Sequence, residues 1–187
     1  LTDPAHLDEA FLLATFTTIA QWIYDRSGIE IPADTIRFEP FKNPRGNPSV
    51  QGRVGYRGPT GRLGNLPRIK LDLTNDEVLV LNPTMRAVHH PYSDRSLDEM
   101  HVMCYAFEEV FAEKIRALAE RGRPRDLYDV IHLYRHDELH PDRLLIVDTL
   151  RAKCEFKGIS VPTLSSINKD RFVELEADWV AMLAHQL

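Results

Sequence analysis

Residues 107–134 read FEEVFAEKIRALAERGRPRDLYDVIHLY, and this stretch decides the fold of the second half of the chain. Val110, Phe111, Ile115 and Leu118 recur at helical spacing, as do Leu127, Val130, Ile131 and Tyr134. That periodicity predicts two consecutive helices joined at Gly122. Charge interrupts both stripes. Lys114 follows Val110 by four residues and precedes Leu118 by four, so it falls inside the first stripe. Asp126 lies at the edge of the second, beside Leu133, with Asp129 one helical step further on. An unpaired ammonium facing a core is costly to desolvate. Lys114 is therefore expected to find a counter-charge, and the next helix offers both aspartates.

Working outward, periodicity predicts a helix from Asp142 to Phe156 and a last one from Lys169 to Ala184, whose stripe is Phe172, Leu175, Trp179 and Leu183. Before residue 107 the pattern changes. A first helix over His6 to Arg26, with Leu7, Ala10, Phe11, Ala14, Thr18 and Trp22 on related faces, is stopped by Gly28. Alternation then predicts strands at Thr35 to Glu39, Val50 to Tyr56 and Arg68 to Leu73. Short apolar runs at Val78 to Leu81 and His101 to Tyr105 complete the set. Residues 40–48 and the Gly58-Pro59-Thr60-Gly61 stretch read as turns. The expected organisation is a sheet-rich core over 1–106 and a helical C-terminal domain over 107–187, an α+β or α/β arrangement with a mixed sheet.

The pairing of Glu-Lys-Ile-Arg-Ala-Leu with Arg-Pro-Arg-Asp-Leu-Tyr-Asp resembles the paired helical motifs of the AbiEii/AbiGii nucleotidyltransferase toxins. These are toxin halves of bacterial type IV toxin–antitoxin and phage-defence modules. Arg-Ile-Lys-Leu-Asp-Leu-Thr at 68–74 and Tyr-Arg-Gly-Pro at 56–59 support the resemblance. It implies a nucleotidyltransferase-like core and transfer of a nucleotide from a triphosphate with magnesium. RNA such as tRNA is an implied acceptor, and a cognate antitoxin an implied partner. Lys114 would bind the triphosphate, and Asp126 or Asp129 would orient the lysine or activate the acceptor hydroxyl.

Such enzymes also carry a Gly-Gly-Thr or Gly-Ser turn and an Asp-x-Asp pair that holds the metal. Neither occurs in these 187 residues. The expectation is that the first catalytic motif precedes Leu1 in the native protein, so that this chain alone does not run the full reaction. A reading from a different class is a non-catalytic module that binds an antitoxin or RNA and keeps the Lys–Asp motif as a structural ion pair.

Asp72 shares one side of its strand with Lys70, opposite Ile69, Leu71 and Leu73. The resemblance implies a carboxylate on a central strand that completes the metal set, a role open to Asp72 because magnesium takes hard oxygen ligands in octahedral geometry, with Lys70 near phosphate. Asp72 could equally be a solvent-facing partner of Lys70 or Arg68. Asp126 falls near the third position of a helix begun by Pro124, where a carboxylate meets free backbone amides. Arg125 and Arg123 at the same helix start could contact phosphate or neutralise the aspartates. Residues 42–68 hold six of the nine glycines among Lys42, Arg45, Arg53, Arg57, Arg62 and Arg68. That composition suits a phosphate backbone or a solvated basic hairpin.

The bulk properties narrow the remaining classes. A net charge of −5 argues against a surface coated by nucleic acid but leaves room for a local basic groove. Two cysteines, Cys104 and Cys154, are too few and too far apart for a disulfide framework or zinc site, so a reducing cytoplasm is expected. No apolar run approaches the ~18 residues of a membrane span. His132 and His136 are four apart on a helix but lack a third ligand to make a metal site.

Overall fold

Asn43 reverses the chain between the first two strands: its side-chain oxygen accepts from the amides of Arg45 and Asn47, each at 3.0 Å. The computed structural model describes residues 3–58, 64–93, 100–136, 140–163, 165 and 169–184, and divides into two compact units, Leu1–Val78 and Leu79–Leu187. The expected turn at 58–61 and Arg62 fall mostly or wholly outside the described residues.

In the first unit, helix α1 (Glu9–Ser27) is capped by Asp8, whose carboxylate accepts from the Phe11 amide, and ends at Gly28 in the left-handed conformation. Strands β1 (Arg37–Lys42), β2 (Pro48–Gly55) and β3 (Arg68–Thr74) pair antiparallel in the order β1-β2-β3. β1 runs further than alternation suggested, through Pro40. As an edge strand it tolerates a residue without an amide hydrogen. Thr35 ends a short 3₁₀ turn instead of starting β1, and its hydroxyl donates to the carbonyl oxygens of Pro32 and Gly55.

One face of this sheet packs on α1. Phe38, Val50 and Val54 are buried with Leu7, Leu12 and Ala20, and Phe16 meets Phe38 with ring centroids 5.0 Å apart. Of the helical stripe expected at Leu7, Ala10, Phe11, Ala14, Thr18 and Trp22, only Leu7 is buried. Phe11 and Trp22 are 44% and 56% exposed, and the packed stripe is Leu12, Phe16 and Ala20. Helix α1 is apolar on more than one side, so spacing admitted two stripes. The sheet took the stripe of Leu12, Phe16 and Ala20. Gly52 is required where it lies, since a Cβ there would meet the Phe38 ring at 2.7 Å.

In the second unit, β4 (Thr84–Ala87) and β5 (His101–Cys104) form an antiparallel ribbon, followed by α2 (Phe107–Arg121), α3 (Pro124–Tyr134), α4 (Arg143–Lys157) and α5 (Lys169–Leu183). All described strand pairings are antiparallel, which makes the class α+β. Phe111, Ala112, Ile146, Leu150 and Cys154 form the core between α2 and α4, with Val130 and Leu133 of α3 packed against it. Ile131 and Tyr134, expected in the buried stripe of α3, are 36% and 70% exposed. On α5, Leu175 and Leu183 are buried while Phe172 is exposed.

The strand expected at Val78 to Leu81 does not form. Its backbone is engaged by a side chain: the amides of Val80 and Leu81 donate to the carboxylate of Glu109, at 3.3 and 2.9 Å. Glu109 is only 2% exposed, and its other partner is Lys153 of α4, at 2.6 Å. Lys153→Ala, which leaves that buried carboxylate without its cation, is expected to cost about 3–5 kcal/mol in urea unfolding. Arg151→Ala breaks the exposed pair with Asp148 on the same helix and should change stability by less than about 1 kcal/mol.

Candidate functional site

Helix α2 ends at Gly122, whose φ of 58° lets the chain turn back sharply. Pro124 occupies the first turn of α3, where its missing amide hydrogen leaves no bond unmade. The two motif helices therefore form a tight hairpin, with two ion pairs between them. Lys114 meets Asp129, Nζ to Oδ2 at 2.6 Å. Arg121 meets Asp126 in a forked contact, Nε to Oδ2 at 2.7 Å and Nη2 to Oδ1 at 2.8 Å.

The two pairs differ in setting. Asp126 is 2% exposed, and its bidentate bond is the main cause that holds the Arg121 guanidinium above its ordinary pKa, against the opposing effect of burial. Arg121, not the helix-start amides, holds this aspartate. Lys114 and Asp129 are about a third open to solvent, at 33% and 37%. The expectation of a counter-charge for Lys114 on the next helix holds. The expectation that Lys114 faces the core does not. The deeply buried charges of α2 are Glu109 and Arg116, on another side of the helix.

Those two belong to a network that sequence reasoning missed. Lys153 lies 3.5 Å from Glu113 as well as against Glu109. Arg116 donates from Nη2 to Glu113 at 2.6 Å and also bonds Glu120. Burial works against the charge of Glu113, but the bonds and charge of Arg116, and then of Lys153, leave its carboxyl below the ordinary value. Arg116 is raised in turn: burial opposes its charge, and Glu113 and Glu120 outweigh that. The available signal was spacing, since residues 109, 113, 116 and 120 mark one helical stripe composed of charge.

Of the other candidates, Arg125 is exposed on α3 and donates from Nε to the Met182 carbonyl oxygen of α5 at 3.5 Å. Lys70 and Asp72 belong to the first unit, both exposed on β3, opposite Arg53 and Gln51 of β2. Neither makes an ion pair within the described residues. No three of His, Cys, Asp or Glu come together to hold a metal among the described residues. Asp72 by itself is one hard-oxygen ligand, short of the set that magnesium needs. The His132 and His136 rings lie edge to face, 5.9 Å apart, without a third ligand among the described residues.

The family model described as "Nucleotidyl transferase AbiEii toxin, Type IV TA system" matches residues 16–187. No curated protein and no solved structure matches the chain. No described helix is long and apolar enough to cross a membrane.

The settings of the two aspartates separate them by stability. Asp126→Asn, which weakens a buried forked pair, is expected to destabilise by about 3 kcal/mol. Asp129→Asn should cost less than about 1 kcal/mol, both read from urea midpoints. The network adds a pH dependence. Glu113 has a folded value below its ordinary 4.5, so its stabilisation is complete above that pH and lost as pH falls further. Melting temperature should drop on that acid limb, and Glu113→Gln should flatten it.

Proposed function

The chain belongs to the AbiEii nucleotidyl transferase toxin family, and from that membership we propose that it serves transfer of a nucleotide from a triphosphate to an RNA acceptor such as tRNA. The observation that carries the assignment of residues is the contrast between the two ion pairs of the α2–α3 hairpin. Asp126 is buried and held by Arg121, a structural role. Asp129 and Lys114 remain within reach of a ligand. On this reading Lys114 is the cation that meets the triphosphate, and Asp129 holds it in place until the phosphates arrive. Phosphoryl-type transfer relies on positioning and charge neutralisation, which an ammonium already fixed by a carboxylate supplies with little reorganisation. Arg125 is a second phosphate contact in this proposal.

Asp72 is proposed as one carboxylate ligand of magnesium, with Lys70 near phosphate on the same strand. Asp72 does not make a site with other ligands among the described residues, so further carboxylates would complete it and these 187 residues would be inactive by themselves. A cognate antitoxin as partner and a cytoplasmic location belong to the same proposal, supported by the family's description as a type IV toxin. The second reading, a non-catalytic module binding an antitoxin or RNA, draws on the absence of a three-residue metal cluster among the described residues.

The test uses the protein expressed from its own start codon, each labelled triphosphate in turn, and total cellular RNA. Label should appear on RNA, fall at least ~100-fold in Lys114→Ala, and fall less in Asp129→Asn, because phosphate-site electrostatics contribute on that scale. Wild-type labelling by Lys114→Ala sinks the assignment of that residue. No labelling by the well-folded wild-type protein favours the binding module.

A further inference from the structure

The sheet of the first unit has one face on α1 and a second face covered by no described element. Its outward side chains alternate along the strands: Arg37, Glu39 and Phe41 on β1 and Arg68, Lys70 and Asp72 on β3, all exposed, with Gln51 and Arg53 half-buried on β2. The register puts cations side by side. Arg37 lies directly opposite Arg53, and Arg53 directly opposite Lys70, so one row across all three strands is positive. Beside it, Arg68 pairs with Gly55 in the backbone register, and Arg57 follows just beyond β2. Arg37, Arg53, Arg57 and Arg68 line an open cleft of about 420 Å³, and among the described residues Asp34 is the one acidic side chain in its lining.

Like charges directly opposite one another in a sheet are destabilising, so folding does not explain this row. Arg57 is paired with Glu30 at 3.0 Å, and Arg53 donates to Gln51 at 3.1 Å. Arg37, Arg68 and Lys70 have no acidic partner among the described residues. Cations on edge strands also guard a sheet against adding a foreign strand. That explanation covers Arg37 and Arg68 but not Arg53, which sits on the central strand.

We propose that this cleft binds the phosphodiester backbone of RNA, and so gives the acceptor of the proposed reaction its docking surface in the first unit. The inference rests on that reading for the identity of the polyanion. The cations are spread in a row at the strand spacing of about 4.8 Å, which suits successive backbone phosphates. A single triphosphate is better matched by converging amides of a nest or helix start. Phe41, 46% exposed on the same face, offers a surface for a base to stack on.

The test is fluorescence anisotropy of a labelled single-stranded RNA oligonucleotide with the whole chain, titrated with salt. Neutralising three phosphates of a single strand predicts affinity falling roughly 20-fold between 50 and 200 mM salt. Arg37→Gln/Arg53→Gln/Arg68→Gln should bind roughly 100-fold more weakly at low salt and lose that dependence. Should the triple variant fail to fold by circular dichroism, Arg37→Gln and Arg68→Gln singly, both at exposed edge positions, should each weaken binding roughly five-fold. Three outcomes overturn the proposal: wild-type chain that does not bind RNA, variants that bind as wild type, or a labelled triphosphate whose binding alone these substitutions abolish. The assay requires no transfer, so binding lost in the variants stands even where no labelling of RNA is found. Conversely, transfer with unchanged RNA binding in the variants removes this cleft and leaves the reaction.

Discussion

The carboxylate of Glu109, buried against the ammonium of Lys153, is the contact on which the helical unit depends. It joins three pieces of chain at one point: the irregular segment at 80–81, the start of α2 and the later turns of α4. Such a pair adds little net stability relative to well-packed apolar residues. What it does supply is a heavy penalty for any arrangement that separates the partners. Glu113, Arg116 and Glu120 extend the charge along the same helix. The rotation of α2 is thereby fixed against α4. Lys114 lies five residues after Glu109, about 140° around a helix of 3.6 residues per turn, and is therefore carried away from the α4 interface and toward α3.

The hairpin of α2 and α3 holds its two ion pairs in different settings, one with a buried aspartate and one partly open to solvent. Arg121 and Asp126 sit near the turn and lock the two helices together through a forked bond. One helical step along, Asp129 meets Lys114 at an open edge. Two aspartates of identical chemistry are given different surroundings, and only one remains within reach of a ligand. Their shared resemblance to a motif could not divide these roles, because both stand at helical spacing from the same face. The division needed the position of Arg121, whose partner is five residues away across the turn.

Local signals with a single physical cause were readable in the sequence. Gly28, Gly122 and Gly158 each end a helix in the left-handed conformation, Pro124 starts one, and alternation located β2 and β3. Where two causes competed, reading by pattern went astray. Helix α1 offered two apolar stripes, and only the sheet opposite could choose Leu12 and Phe16. The apolar run at Val78 to Leu81 had strand composition, but its amides found a carboxylate 28 and 29 residues away before they found a strand. Glu109, Arg116 and Lys153 were unreadable as core because pattern reading assigns charge to solvent. Their burial is permitted only by mutual pairing, a tertiary fact. β4 was missed for a related reason: its side chains are exposed throughout, so burial left no periodic trace in the sequence.

The hold of Glu109 on the amides of Val80 and Leu81 has a consequence for motion. In a sheet, an edge amide exchanges its hydrogen with solvent when the strand frays from its neighbour, a local event. Here the acceptor is a side chain seated between two helices. Exchange at these two positions requires their segment to leave a carboxylate that is anchored by Lys153 in the helix-to-helix contact. They should share the slow exchange of the α2–α4 interior despite lying in a segment with no regular secondary structure, and so report from the surface on the opening of the core.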